Sequence, residues 1–286
     1  MIRTEFTDAT LILLGHGTTR NEDSSAPVFQ HAAELRRRRI FAAVREAFWK
    51  QEPSVGRVLA EVTTPRAFIV PLFISEGYFS EEVIPRELGF KLTDHPGSRI
   101  TRRGSRVMYY CNAIGTHASM TDVLLARARE VVTQFPFPCA PKPAGTTLFI
   151  AGHGTERNEN SRKAIERQVE LIRTRNVYAA THAVFLEESP RIGDCGTLAR
   201  TRNLVVVPFL ISDGLHCTED IPVLLGESER VVKARLAAGQ PTWRNPTEMH
   251  RKLTWLSPAV GSHPRIAGVI LDRVCEAAGA AACAAT

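Results

Sequence analysis

Short apolar runs alternate with charged, helix-like stretches along this chain, and the alternation occurs twice. Residues 11–14 form an apolar run that ends at a histidine flanked by glycines and gives way to a helical pattern, and residues 148–151 do the same. A second run at 178–186 is rich in β-branched and aromatic residues, and a third at 204–211 is apolar throughout. Such runs are typical of strands buried on both faces. Strands that alternate with helices predict a parallel α/β sheet.

The two halves match each other at a constant offset of 137 residues, from His16 and His153 through to Pro85 and Pro222. Each copy has a Gly-His-Gly-Thr loop followed by Arg, Asn, Glu and Ser at the same spacing. The match predicts an internal duplication of a flavodoxin-like domain, each copy being a four-stranded parallel sheet flanked by helices. The predicted boundaries are 1–134 for the first domain, 135–145 for a proline-rich linker, and 146–286 for the second domain.

The two copies differ where chemistry would be expected. Lys50 corresponds to Glu187, and Phe79 corresponds to His216. Only the second copy therefore combines two imidazoles, those of His153 and His216, with a carboxylate. Each of these residues directly follows a different predicted strand, and the carboxyl ends of parallel strands meet at one rim of the sheet. The set predicts a site for a divalent cation such as cobalt, iron, nickel or zinc.

Residues near this set have simpler interpretations. Cys217 is expected to be an inert thiol, Glu188 to be solvated, and His117 and His263 to cap the final helix of each copy. Asp220 is expected to cap a helical stretch that runs to about residue 238.

Two further segments of the second copy carry local predictions. Ser189-Pro190 is expected to begin a helix, as an N-cap followed by proline. The spacing between His117 and His263 is 146 residues, so the second copy has gained nine residues around 240–251. That insertion is either a lid over a ligand or a plain surface excursion.

Composition narrows the class of protein without naming it. A content of 44% apolar and 23% charged residues suits two globular domains, and the chain contains no apolar run of about 18 residues, the length that a membrane span needs. Six cysteines without a C-x-x-C pair are expected to be reduced thiols of a cytoplasmic protein. The net charge of +6 suits an acidic small molecule. The basic run 36–39 lacks interleaved aromatic residues, so no nucleic-acid partner is expected.

Four motifs carry a resemblance to a known family. They are G-H-G-T at 152–155, F-L-E at 185–187, V-V-V-P-F-L at 205–210 and G-x-H-x-x-x-D-I-P at 214–222. With them, the chain resembles the class II, ATP-independent tetrapyrrole chelatases, in particular the sirohydrochlorin cobaltochelatases and ferrochelatases of the CbiX type. The resemblance implies insertion of cobalt or iron, with nickel as a third candidate, as a substrate, and no organic cofactor. It also implies that His153, His216 and Glu187 take the metal and deliver it to a macrocycle between two lobes.

Sirohydrochlorin carries many carboxylates, so cationic and aromatic residues are expected to contact it. Arg20 and Arg157 are the predicted carboxylate clamps, and His16 and Phe79 of the degenerate first copy are the predicted far wall. A monomer or a weak homodimer, with no membrane partner, satisfies these requirements. Two alternatives remain open, namely a noncatalytic carrier of metal or tetrapyrrole and a phosphate hydrolase with a histidine nucleophile. The hydrolase lacks the expected arginine directly before its histidine.

Overall fold

The computed structural model describes residues 6–17, 25–93, 99–154, 159–249 and 251–279. Two predicted substrate contacts, Arg20 and Arg157, and the alanine-rich tail beyond Gly279 lie outside these ranges. The strands are β1 Ala9–Gly15, β2 Ala43–Phe48, β3 Arg66–Pro71, β4 Ile100–Arg103, β5 Arg106–Tyr110, β6 Thr146–Gly152, β7 Ala180–Phe185, β8 Asn203–Pro208, β9 Thr247–Met249 and β10 Lys252–Leu256. The α-helices are α1 Ala26–Arg38, α2 Val55–Ala60, α3 Ile84–Glu87, α4 Met120–Gln134, α5 Glu159–Thr174, α6 Cys195–Leu198, α7 Ile221–Leu224, α8 Glu229–Ala237 and α9 Ile266–Ala278.

The strands form two sheets of the same topology, ordered β2-β1-β3-β5-β4 and β7-β6-β8-β10-β9. Within each sheet the first four strands are parallel, which confirms the predicted α/β fold. The central strands β1 and β6 are buried along their whole length, because helices cover both faces of each sheet.

Each sheet has one strand more than predicted. β4 and β9 are short edge strands that pair antiparallel with β5 and β10. The segment 240–251 therefore supplies a sheet edge, with His250 outside the described residues. Trp243 is 6% exposed within the core, where its indole Nε1–H donates to the carbonyl of Thr254 at 3.3 Å. The segment is thus anchored to unit 2 by an edge strand and a buried tryptophan, and its predicted role as a lid stays a prediction.

Two predicted helix boundaries are wrong. The segment at Ser189-Pro190 does not begin a helix, because the Pro190 carbonyl accepts a hydrogen bond from the Phe185 amide at 2.9 Å and extends the pairing of β7. A 3₁₀ turn begins only at Ile192. The stretch expected to run unbroken from Asp220 is divided into α7 and α8, with Gly226 at a φ of 108° between them.

The chain divides into two compact units that do not coincide with the sequence repeats. Unit 1 comprises residues 1–117 and 264–286, and unit 2 comprises residues 118–263. Helix α9, from the second repeat, contacts β3 and β5 in unit 1, and helix α4, from the first repeat, contacts β8 and β10 in unit 2. The predicted boundaries follow the sequence repeat, whereas the final helices of the two repeats are exchanged. The proline-rich segment 135–145 belongs to unit 2, and the chain crosses between the units at 117/118 and 263/264.

In each unit, an arginine on the exchanged helix bonds to the loop that follows the fourth parallel strand. On α9, Arg273 donates to the carbonyl of Ala113 from Nε at 3.0 Å and from Nη2 at 2.7 Å. On α4, Arg127 Nε donates to the carbonyl of Ala259 at 3.2 Å. Each carbonyl directly precedes a 3₁₀ turn and accepts from a charged donor. The bond therefore holds the exchanged helix against this loop.

The two turn histidines also contact the exchanged helices. His117 Nε2 lies 3.1 Å from Glu276 Oε1 on α9, and His263 Nε2 lies 2.9 Å from Glu130 Oε1 on α4. Both histidines thus hold glutamates of the incoming helix in place, and the expected capping role is replaced by this contact.

Gly261 is required where the loop after β10 passes the main chain of unit 2. A Cβ atom at this position would lie 2.1 Å from the carbonyl oxygen of Ile211. We expect Gly261→Ala to lower the free energy of unfolding by about 2 kcal/mol or more, because the backbone must shift to admit the methyl group. Urea denaturation followed by circular dichroism measures this change. Gly268→Ala is the control, since a Cβ atom there meets nothing within 4 Å. Equal stability of the two variants would contradict the expectation.

No helix within the described ranges is both long and apolar enough to span a membrane.

Candidate metal and substrate site

His153 lies at the end of the central strand of unit 2. β6 is buried through Gly152, and His153 follows it, with 39% of its side chain exposed. Gly154 has a φ of 66°, a left-handed conformation that glycine adopts without strain. This turn directs the chain away from the sheet and leaves the imidazole at the carboxyl edge, as the sequence predicts.

Glu187 is held next to His153 by the main chain. Its amide donates to the carbonyl of His153 at 3.1 Å, which extends the pairing of β6 and β7 beyond both strands. The carboxylate Oε2 lies 3.8 Å from Nδ1 of His153, and 57% of the side chain is exposed. The adjacent residue, Glu188, points elsewhere and is not solvated as expected. Its side chain is 14% exposed, and its Oε2 accepts from Nη2 of Arg162 on α5 at 2.9 Å.

His216 comes from the loop after β8 and begins a single π-helical turn, His216–Asp220. Its ring centroid lies 4.9 Å from that of His153, and the two planes are nearly perpendicular at 87°. β6 and β8 are neighbours in the sheet. The chain continues from β6 toward one edge of the sheet and from β8 toward the other. Ligands bind at such switch points in open α/β sheets. The structure thus brings together the three residues that the sequence selects from distant positions.

The side chains form an open arrangement and not a closed cage. Among the described residues, no group of three or more His, Cys, Asp or Glu side chains is placed so that it could hold a metal ion as it stands. The residues His153, Glu187 and His216 line a shallow cavity of about 300 Å³ together with Glu219 and Asp220. The assignment of the first three as metal ligands therefore stays a prediction, and ligation by all three requires rotation about exposed side-chain bonds.

The hydrogen bonds of the two histidines set their tautomers. His153 Nδ1 lies 2.8 Å from the carbonyl of Gly154, and His216 Nδ1 lies 2.6 Å from Oδ2 of Asp220. Both partners are acceptors, so each contact is a hydrogen bond in the tautomer that carries its proton on Nδ1. The lone pair of a neutral ring is then on Nε2, the arrangement found in metal-binding histidines.

The corresponding position in unit 1 has the same geometry with different chemistry. His16 Nδ1 donates to the carbonyl of Gly17 at 2.9 Å, and its ring lies edge-on to Phe79 with centroids 5.7 Å apart. Lys50 Nζ lies 5.4 Å from the centroid of the Phe79 ring. An ammonium group stands here in place of the carboxylate of Glu187, so this position disfavours a divalent cation and favours an anion. His16 and Phe79 are in contact, and their assignment to a substrate wall stays a prediction.

The contact between Asp220 and His216 was not predicted from the sequence. Asp220 was expected to cap a helix, but it has no capping bond, and its carboxylate accepts from His216. A signal was available, because residue 83, which corresponds to Asp220, is valine in the copy that lacks His216. The two polar residues occur together in one repeat and are both missing from the other.

Cys217 follows His216 in the π-turn and is buried. Burial raises the pKa of its thiol, and nearby Asp213 adds to the rise, so the group stays protonated at neutral pH. Its Sγ donates to the carbonyl of Ser212 at 3.5 Å. These contacts agree with the inert thiol expected from the sequence.

We expect Cys217→Ser to keep the affinity for Co²⁺ within about threefold, because a protonated buried thiol ligates poorly. The first repeat has serine at this position, residue 80, inside the same π-turn. Isothermal titration with Co²⁺ measures the affinity, and circular dichroism checks the fold. A loss of affinity beyond tenfold in a folded variant would show that the sulfur contributes.

Comparison with known proteins places the chain. The CbiX family model matches residues 10–131 and again residues 147–277, once for each repeat. The chain belongs to the CbiX family. A relative described as a probable sirohydrochlorin cobaltochelatase, from Halobacterium salinarum, is 38% identical over 280 residues, which cover 93% of this chain and 91% of that protein. Family membership confirms the resemblance read from the four motifs.

Solved structures share the family fold. DR2241 from Deinococcus radiodurans, described as a multi-domain protein with structural similarity to chelatases, has a TM-score of 0.74 at 27% identity. The alignment covers 93% of this chain and 54% of that one, so the present chain spans about half its length. The sirohydrochlorin chelatase SirB from Bacillus subtilis, solved with cobalt, has a TM-score of 0.61 at 16% identity, covering 94% and 95% of the two chains. At that identity the likeness concerns the fold alone.

Proposed function

We propose that this protein inserts a divalent metal ion, cobalt or iron, into sirohydrochlorin or a closely related tetrapyrrole without ATP. The observation that carries the proposal is the pair of imidazoles, His153 and His216, 4.9 Å apart beside Glu187 at the switch point of a CbiX domain. The name of the Halobacterium salinarum relative, which matches along nearly the whole chain, supports the same substrate. Metal and tetrapyrrole are both substrates here, and no organic cofactor enters the scheme.

The residues suit both halves of the reaction. Insertion places the metal on the ring nitrogens and expels two pyrrole N–H protons, so the site must release an ion and accept protons. Neutral imidazoles bind late first-row cations through nitrogen and accept protons near neutrality. In this scheme Nε2 of His153 and Nε2 of His216 ligate the incoming ion, and Glu187 completes the set or takes a proton. Because these side chains are between about two-fifths and three-fifths exposed, they can rotate to release the ion.

Charge separates the two substrates. Glu187 and Asp220 lie beside the two imidazoles in unit 2 and attract a cation, whereas Lys50 and Val83 occupy the matching positions in unit 1. The acidic side chains of the tetrapyrrole are repelled by the first group of residues. We assign the substrate contacts to His16 and Phe79 in unit 1, together with Arg20 and Arg157 outside the described ranges.

An insertion assay with purified protein tests the proposal. Sirohydrochlorin is mixed with Co²⁺, Fe²⁺ or Ni²⁺, and the change in its absorption spectrum is followed with and without the protein. Acceleration above the spontaneous rate with cobalt or iron supports the enzyme, and the ratio of the three rates identifies the preferred metal. Nickel is the least supported of the three. Tight binding of sirohydrochlorin without acceleration would indicate a carrier and overturn the proposal.

A further inference from the structure

The carboxylate of Asp220 forms a close contact with the imidazole of His216 within one π-turn. Oδ2 of Asp220 lies 2.6 Å from Nδ1 of His216, four residues earlier on the same π-turn. Both side chains are about half exposed, at 47% and 52%. At this distance the ring N–H can donate directly to the carboxylate oxygen.

The carboxylate selects one state of the imidazole. An ionised carboxylate only accepts hydrogen bonds, so it holds the proton on Nδ1 and leaves the Nε2 lone pair free in the neutral ring. It also restricts rotation of the ring. For His153 a main-chain carbonyl does the same work, and that device is present in both repeats, since His16 uses Gly17 in the same way. His216 has no such main-chain partner among its described hydrogen bonds and depends on a side chain.

The first repeat shows that the turn itself does not need the carboxylate. Phe79–Val83 forms the same π-turn, with phenylalanine in place of His216 and valine in place of Asp220. The carboxylate is therefore present where there is an imidazole to orient, and absent where there is none.

We propose that Asp220 is a positioning residue that fixes the Nδ1–H tautomer and the orientation of His216, so that Nε2 faces the incoming metal. The tautomer part stands on the geometry of this turn alone. The metal part rests on the proposed function, in which His216 ligates the ion.

Nitrogen NMR of the metal-free protein tests the tautomer directly. Protein labelled with ¹⁵N-histidine is recorded at about pH 8, above the ordinary pKa of histidine. We expect His216 of the wild type to show a protonated Nδ1 and an unprotonated Nε2. In Asp220→Val the proton is expected to move largely to Nε2, because Nδ1 has lost its acceptor. Valine occupies the corresponding position, residue 83, in the π-turn of the first repeat, and circular dichroism checks that the variant is folded. Asp220→Asn keeps an acceptor oxygen and is expected to restore the Nδ1–H form in part.

Titration with Co²⁺ tests the consequence for ligation. We expect the Kd for Co²⁺ to rise about 10- to 100-fold in Asp220→Val, the usual effect of losing the partner of a metal-binding histidine. Glu219→Gln is the matched control, because Glu219 lines the same cavity and carries the same charge. Its Oε1 lies 3.8 Å from Lys233, and its substitution removes a charge without removing the bond to His216. The control is expected to raise the Kd less than threefold and to leave the tautomer unchanged.

The outcomes separate this proposal from the function on which it rests. An unchanged tautomer in folded Asp220→Val overturns the positioning role, whatever the metal does. Equal losses of Co²⁺ affinity in Asp220→Val and Glu219→Gln also overturn it, since charge alone would then explain the effect. If wild-type protein shows the Nδ1–H form but His216→Ala binds Co²⁺ as tightly as wild type, the tautomer assignment stands and the proposed metal site fails.

Discussion

Replacing His216 with alanine is expected to lower the rate of cobalt insertion into sirohydrochlorin by about 100-fold or more. The imidazole both ligates the ion and accepts a proton in the proposed scheme, and loss of a general acid–base group alone lowers rates by about 10²- to 10⁴-fold. The rest of unit 2 should be undisturbed, because half of this side chain is exposed. Initial rates from absorption spectra, corrected for spontaneous insertion, measure the effect, and circular dichroism confirms the fold.

Phe79→Ala is the matched control, since Phe79 occupies the same place on the π-turn of the first repeat. It is expected to raise the KM for sirohydrochlorin more than it lowers kcat, because it removes an aromatic contact with substrate and no metal ligand. His16→Ala completes the set. If His16→Ala abolished insertion while His216→Ala spared it, the working site would be in unit 1 and the present assignment would be wrong.

Replacing Arg273 with alanine is expected to lower the free energy of unfolding by about 3 kcal/mol. The side chain is 5% exposed, and it donates twice to the carbonyl of Ala113 and once to Oγ1 of Thr116 at 2.6 Å. Its removal takes the charged donor from both acceptors, and a hydrogen bond that involves a charged group contributes about 1.5–3 kcal/mol. Differential scanning calorimetry and urea denaturation measure the loss.

Arg273→Lys is expected to be intermediate in stability, because an ammonium group cannot reproduce the planar fork that meets both acceptors. The control is Arg167→Ala, an exposed arginine on α5, which should change stability by no more than about 0.5 kcal/mol. Similar stabilities of Arg273→Ala and Arg167→Ala would show that the network does not anchor α9.

The sequence predicted the parallel core and the residues of the candidate site for one reason. The unbroken offset of 137 residues made every difference between the copies visible, and Glu187 and His216 are such differences at strand ends. Strands such as β6 and β8 are apolar along their length, so their pattern is unambiguous. The rim of a parallel sheet then brought the candidates together.

The features that escaped prediction lack a local pattern. β9 has three residues, and β4 is mostly exposed, so neither shows the apolar alternation of a strand. Asp220 directly precedes a helical stretch, so its position in the sequence suits a helix cap. Only the observed hydrogen bond shows that its carboxylate contacts His216 instead. The exchange of α4 and α9 between the units cannot be predicted from the hydrophobic pattern. The repeats present similar sheets, so amphipathicity shows that each helix must be buried but not on which sheet.

Because α4 and α9 are exchanged, each unit depends on a helix from the other repeat. A fragment that ended at Gln134 would carry α4, whose anchoring partner Ala259 lies in the second half, and would lack α9, which supplies Arg273 to its own loop. Deletion of the first repeat would likewise strip α4 from the sheet that carries His153 and His216. The residues at the sheet rim of the first repeat can therefore change, as Lys50 and Phe79 do, whereas deletion of that repeat would remove a helix that unit 2 needs.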